Sequence, residues 1–263
     1  MFQRMMKMDD LKHDGTYLYL EQLYKKYAVD LVALRTAVKP FLARIQEKYG
    51  YFGAQSNDLE MEILYMRLRE LGPKRVLEFS PCNGYSTFWI LSALHDNGGV
   101  GHLESYDLVD NALMAPLPEH LRRRWTFTKG DVFASVTVST IPRFDYFHID
   151  SDHTYEFGEK YTQEFLVTHS HLYGQTWGNV HDVFPYSPQP QPEGVPVLRW
   201  LAGSPRAESF TVGMWANPEL YAAIMRLRFS LLFLYHTLKE NLVVFASNHI
   251  PIAATWWLYI AIH

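Results

Sequence analysis

The stretch RVLEFSPCNGYST, residues 75–87, decides how the rest of the chain is read. Val76, Leu77 and Phe79 form the short apolar run of a buried strand, with Glu78 near its end. Pro81-Cys82-Asn83-Gly84 is a turn, because proline and glycine punctuate regular structure. Ser86 and Thr87 are expected to start a helix, since a hydroxyl can accept from one of the first free backbone N–H groups. The run Phe88 to Leu94 continues that helix. A strand, a glycine turn and a helix N-terminus in succession place backbone donors at the mouth of an α/β sheet, where small polar ligands bind.

Working outward toward the N-terminus, Leu18, Leu20, Leu23, Tyr27, Leu31 and Leu34 recur at helical spacing within residues 16–48. Pro40 is expected to divide this region into two helices. Residues 1–54 read as an N-terminal helical cap on a main domain of residues 55–263, or on a second subunit, which would make a homodimer. Asn57 or Asp58 starts the next helix, and Gly72-Pro73 ends it just before the organising stretch.

Toward the C-terminus strand and helix patterns alternate, the signature of a parallel sheet with helices on both faces. Val100 to Tyr106 is read as a second strand, ending at Asp107. Trp125 to Thr128 is a third, followed by Gly130-Asp131-Val132. Phe144 to Ile149 is a fourth, ending at Asp150. Thr176 to Val180 is a fifth, ending at His181-Asp182. Each of these strands is followed at once by acidic groups, and their carboxyl ends share the sheet edge at which open α/β sheets bind ligands. The five prolines of residues 184–196 (FPYSPQPQPEGVP) predict an extended loop beside that edge, with Tyr186 on it. Pro196 to Leu201 is expected to open a helix, Phe210 to Met214 and Leu242 to Ala246 to be late strands, and Asn217 to Leu232 to be helical between them.

Composition narrows the function classes. The chain has 263 residues, of which 48% are hydrophobic, enough for a sizeable core. A formal net charge of −4 argues against general nucleic-acid affinity, which rests on phosphate neutralisation. The run Arg122-Arg123-Arg124 reads as a solvated helix end. A single cysteine, Cys82, excludes an intrachain disulfide and fits a reducing, cytoplasmic setting. Residues 1–10 hold no apolar core of signal-peptide length, and the apolar run Ile250 to Ile262 is too short to span a bilayer.

The segments VLEFSPCNGYST, ESYDLVD, KGDVF, FHIDSDHTYE and HDVF together resemble class I S-adenosylmethionine-dependent methyltransferases in order and spacing. The closest likeness is to the small-molecule and sugar O-methyltransferase branch with an IDGDHxYE box after its fourth strand, over roughly residues 55–250. This resemblance implies a Rossmann-like methyltransferase fold: a mostly parallel seven-stranded sheet, one strand antiparallel near the edge, and S-adenosylmethionine across the strand ends. It implies that Glu78, Ser80 and Gly84 line the methionine part of the cofactor, with Ser86 counted among them. Asp107 would accept from the ribose hydroxyls, and Asp131 with Val132 would read the adenine edge. The turn departs from the pattern in having one glycine, with Ser80 and Pro81 at its start.

Methyl transfer is an in-line displacement at an activated sulfonium carbon, so the protein must align the acceptor and help to remove its proton. Two clusters could do so: Asp150, Asp152 and His153 after the fourth strand, and His181 with Asp182 after the fifth. Carboxylates with an imidazole suit Mg²⁺ or Mn²⁺. In metal-dependent relatives the positions matching Asp150 and Asp182 hold the ion. His153, together with Asp150, is the candidate for catalysis, His153 as general base or alternatively as a metal ligand. Asp152 and His153 could instead cap the next helix, and His181 could be a packed supporting residue. The expected activity is methyl transfer to a hydroxyl of a small molecule, with a sugar or glycan acceptor favoured by the resemblance alone. The alternatives are a metal-independent O- or N-methyltransferase and a non-catalytic cofactor-binding scaffold.

Overall fold

A computed structural model describes residues 14–49, 58–136, 143–204, 207–240 and 258–262. Helix α1 (Gly15–Ala37) is started by Asp14, whose carboxylate accepts from the N–H groups of Thr16 and Tyr17 at 2.8 and 3.0 Å. It gives way at Val38 to α2 (Lys39–Tyr49), with Pro40 in the first turn, where a missing N–H costs nothing. Helix α3 (Asp58–Leu71) ends at Gly72, which takes φ +58° and donates to the Leu68 carbonyl at 3.0 Å.

Strands β1 (Arg75–Phe79), β2 (His102–Asp107), β3 (Trp125–Lys129), β4 (Tyr146–Ile149) and β5 (Thr176–Val180) are all parallel, in the order β3-β2-β1-β4-β5. Beyond β5 lies β7 (Leu258–Ile262), antiparallel to both β5 and β6 (Ala207–Thr211). Helix α4 (Tyr85–Asp96) follows β1. After β4, α5 (Tyr155–Lys160) passes through a π-helical segment, Tyr161–Val167, into α6 (Thr168–Tyr173). Helix α7 (Gly194–Gly203) follows β5, and α8 (Pro218–Glu240) follows β6.

Three expectations need correction or relocation. The late strand placed at 210–214 forms at Ala207–Thr211. The one placed at 242–246 falls outside the described residues. The proline-rich segment is irregular only as far as Glu193, because α7 starts at Gly194 and takes Pro196 into its first turn, where proline is tolerated.

Successive strand residues face opposite sides, and this divides the core in two. Val76, Leu103 and Tyr146 pack with Leu64, Trp89 and Ile224, and this same cluster takes in Leu20, Leu23, Tyr24 and Leu31 of α1. Leu77, Phe79, Phe147, Ile149 and Val180 face Tyr161, Phe165, Leu166 and Val197 on the other side. On the first side a buried ion pair joins three helices. Arg228 of α8 grips Glu62 of α3 at 2.7 and 3.0 Å, with Arg35 of α1 at 2.7 Å and the Tyr24 hydroxyl at 3.0 Å. No helix among the described residues is long and apolar enough to cross a membrane.

Candidate functional site at the strand ends

The turn after β1 is built around a carboxylate that does not reach the surface. Glu78 is fully buried, and its oxygens accept from Ser86 Oγ at 2.7 Å, Thr87 Oγ1 at 2.9 Å and Ser105 Oγ at 2.6 Å. Burial pushes its carboxyl up to about 7, against the pull of the three hydroxyls. One expectation is thereby corrected. Ser86 and Thr87 do not cap α4, because their hydroxyls point inward to Glu78; the cap residue is Gly84, without a side-chain bond. Glu78 and Ser86 therefore brace the turn from behind, their polar atoms already engaged with each other.

The turn itself carries two left-handed residues that are not glycine, Ser80 at φ 60° and Cys82 at φ 49°. Bonds to the end of β2 hold them: Ser80 N–H donates to the Tyr106 carbonyl at 2.8 Å, and Cys82 N–H to Asp107 Oδ2 at 2.9 Å. Asp107 Oδ1 accepts from the Val109 N–H at 3.1 Å, so each of its oxygens bonds one backbone donor and retains a further lone pair. At Gly84, φ is +81°, and a Cβ would lie 2.9 Å from that of Ala115. Its bareness lets the neighbouring chain pack closely. Asp131 is exposed and caps the single turn Val132–Ser135 through the Phe133 N–H at 2.9 Å, with Val132 buried.

A hollow of about 370 Å³ lies beside this turn, lined by Asn83, Asn111, Ala115 and Pro116 with Arg44 and Lys48 of α2. Asn83 accepts from the Tyr85 N–H through Oδ1, while its buried Nδ2 has no partner. A larger hollow of about 610 Å³ opens at the opposite end of the sheet, among Lys74, Arg143, Asp145 and Trp177, far from the acidic strand ends.

A second centre gathers where β4 and β5 end, in adjacent parallel strands about 4.8 Å apart. Asp150, His153 and Asp182 each offer a ligand atom, and these atoms lie within 4.8 Å of one another. His153 Nε2 is 3.4 Å from Asp182 Oδ2. The buried Oδ1 of Asp182 has no partner, and Asp182 takes a left-handed φ of 53°. His181 sits beneath, with Nδ1 at 3.1 Å from Asp150 and 3.4 Å from Asp182, and Nε2 at 3.5 Å from Glu60. Burial disfavours its charge, yet Asp150 and Glu60 hold its pKa well above the usual imidazole value. Burial likewise opposes ionisation of Asp150, but His181 beside it keeps the carboxyl below its ordinary range.

Two members of this centre escape sequence reasoning. Glu60 is on α3, a helix buried all round, so no polar face singles it out. Glu193 is the only acid in the proline-rich stretch; its Oε2 meets His153 Nδ1 at 2.7 Å, and its side chain is 2% exposed. The helix after β4 is capped by Thr154, which accepts from the Phe157 N–H at 3.3 Å. That leaves His153 for the acidic centre and Asp152 to accept from the Thr154 hydroxyl.

The profile of a family described as a methyltransferase domain matches residues 78–183, the span from the buried Glu78 to just past Asp182. No curated protein matches the sequence. Among solved structures, an O-methyltransferase from Bacillus cereus in complex with S-adenosylhomocysteine is 14% identical; the match covers 84% of this chain and 89% of that one, at a TM-score of 0.51. A candidate O-methyltransferase from Klebsiella pneumoniae is 18% identical over 89% of this chain and 97% of that one, at 0.52. At such identities the likeness is one of fold, and the fold is the α/β Rossmann-like methyltransferase fold.

Proposed function

We propose that this chain transfers the methyl group of S-adenosylmethionine to a hydroxyl of a small molecule, assisted by a divalent cation. The observation that carries this reading is the convergence of Asp150, His153 and Asp182 at two adjacent strand ends of a methyltransferase-fold sheet. The residues nearby suit the cofactor. In this reading the Ser80–Gly84 turn receives the methionine part, and the unpartnered Asn83 Nδ2 is a donor for its carboxylate. Asp107, with a lone pair left on each oxygen, accepts from the ribose hydroxyls, and Asp131 with Val132 reads the adenine edge. Glu78 and Ser86 hold the turn rigid behind them. We read β6 and β7 as completing the seven strands that the resemblance implies.

The two carboxylates of Asp150 and Asp182 suit Mg²⁺ or Mn²⁺, and the unpartnered Asp182 Oδ1 leaves a coordinating atom to spare. Asp150 and Asp182 would hold the cation, which when bound would lower the pKa of the acceptor hydroxyl and fix its orientation. His153 Nε2 faces the same space and takes the proton as the acceptor oxygen bonds the methyl carbon. The carbon–sulfur bond breaks, and its electron pair stays on sulfur as S-adenosylhomocysteine leaves. A sugar or glycan is the acceptor class we favour. A cytoplasmic setting and a homodimer through residues 1–54, a helical cap on the domain of residues 55–263, belong to the same proposal.

Calorimetric titration with S-adenosylmethionine, with and without Mg²⁺, tests this reading. Wild type binds, and Asp107→Ala weakens binding by roughly tenfold to a hundredfold, given ~1.5–3 kcal/mol for a hydrogen bond to a charged group. A wild-type protein that binds no cofactor sinks the proposal. Methyl transfer that survives EDTA and Asp182→Ala would point instead to a metal-independent reaction. A screen of glycan and small phenol acceptors then separates the substrate classes.

A further inference from the structure

We propose that Met214 and Trp215, on the turn from β6 into α8, form an apolar wall of the acceptor site and set its specificity. The acceptor that fits them carries a flat ring, phenol or sugar, next to the hydroxyl that receives the methyl group. The inference rests on the methyltransferase reading above and deepens it, by naming what surrounds the reacting oxygen.

The topology puts this turn on the catalytic edge. Strands β5 and β6 both run antiparallel to β7, so they point the same way and end at the same edge of the sheet. Their last residues, Val180 and Thr211, are both level with Leu258. Thr211 therefore lies two strand spacings from Val180, roughly 10 Å. Asp182 is two residues beyond Val180, and Met214 and Trp215 follow Thr211 just as closely. A second link ties this corner to the acidic centre. Tyr221, in the first turn of α8, has its phenol pKa raised by burial and, against Arg228, by the nearby charge of Glu60. Glu60 in turn lies 3.5 Å from His181 Nε2.

The turn holds the pair outward. Asn217 N–H donates to the Gly213 carbonyl at 2.6 Å, and Asn217 Oδ1 accepts from the Leu220 N–H at 3.2 Å, which closes the turn and starts α8. Val212 and Ala216 anchor it in the interior, whereas Met214 and Trp215 between them are 41% and 46% exposed. Trp215 is the one exposed tryptophan among the described residues. Single exposed apolar side chains are ordinary, but an adjacent pair on the ligand-binding edge of an α/β sheet marks a contact surface. Tryptophan offers a large flat face at small cost in side-chain entropy, and methionine adapts to an irregular outline. The methyltransferase-domain profile stops at residue 183, so this turn lies outside the part of the chain that the family model matches. Such a segment suits recognition of a particular acceptor rather than of the common cofactor. Tyr186, exposed in the proline-rich loop, adds a further aromatic group beyond the end of β5.

Steady-state methylation of catechol, methyl glucoside and glycerol by the full chain, with S-adenosylmethionine and Mg²⁺, tests the wall. Wild type is expected to prefer one of the two rings to open-chain glycerol, and the ring it prefers separates phenol from sugar. Trp215→Ala should raise KM for that ring by roughly tenfold to a hundredfold with kcat within about twofold, the mark of binding lost equally from ground and transition states. Trp215→Phe, which keeps a ring, should recover most of the loss, and Met214→Ala should give a smaller rise. The KM for glycerol, and the affinity for S-adenosylmethionine by calorimetry, should not move. A KM for the ring unmoved by Trp215→Ala, or an equal rise for glycerol, overturns the proposal. So does a wild type that binds the cofactor yet prefers glycerol or takes neither ring. If Trp215→Ala fails to fold, Met214→Ala carries the same test at smaller amplitude. A wild type that binds no cofactor defeats the methyltransferase reading itself, so the two failures are told apart.

Discussion

The two ends of the site are built on opposite principles. Around Glu78 each buried carboxylate oxygen has a hydroxyl donor within 2.6–2.9 Å, and the turn is bonded to β2 at two points. Around Asp182 the contacts of the charged groups are mostly long, 3.1–3.5 Å, and its own buried Oδ1 has no partner. The first is a polar network closed upon itself, which rigidifies a turn. The second keeps unspent electrostatic capacity, which stability alone would not retain and a ligand or reacting group can use.

That contrast can be broken by mutation. The largest effect belongs to His153→Ala, expected to slow methyl transfer by roughly 10²–10⁴-fold in single-turnover assays while leaving cofactor affinity intact. A loss below tenfold would remove His153 from the chemistry. Next comes Glu78→Ala, which strands three hydroxyls and is expected to cost about 3 kcal/mol or more in urea denaturation. A loss below about 1 kcal/mol would mean that the closed network is no brace.

The same carboxylate sharpens the comparison through pH. Its folded pKa of about 7 lies above the ordinary value of 4.5, so the folded state binds more protons across that interval. Stability from this group is therefore greatest below pH 4.5 and falls as pH rises to about 7, by on the order of 3 kcal/mol. Denaturation midpoints of wild type and Glu78→Gln on either side of this window check the sign: the slope flattens in the variant. Smaller again is Gly158→Ala, expected to cost about 1–3 kcal/mol through overpacking against the Glu193 carbonyl and to loosen the Glu193–His153 contact. Thermal melts measure the first, and single-turnover methyl transfer the second. Smallest in stability is Asp182→Asn, expected within about 0.5 kcal/mol of wild type because asparagine tolerates the left-handed backbone and removes a crowded negative charge. Its methyl transfer should nonetheless collapse, and a variant both unstable and inactive would blur the distinction between the two ends.

Much of this was legible in the chain. The strands ending at Asp107, Asp150 and His181-Asp182 were readable because apolar runs of strand length stop abruptly at acids, and parallel pairing then brings those stops to one edge. The side-chain directions were not. Ser86 and Thr87 look like cap residues by type, yet the helix that follows β1 turns their hydroxyls inward, because a buried Glu78 needs donors more than the helix end does. Glu60 and Glu193 were invisible for a related reason. One lies on a helix with no solvent face and the other in a run of prolines, and neither spacing carries a partner 40 or more residues away.

What the sequence determined alone is the α/β alternation, the edge at which the acids collect and the residue types available for chemistry, because these depend on local periodicity and on which groups end each strand. What only the tertiary structure decided is which of those groups are satisfied and which are left open. That depends on donors and acceptors arriving from distant segments, through Gly158, which admits the start of α7 against α5, and Gly194, which admits Val183 after β5.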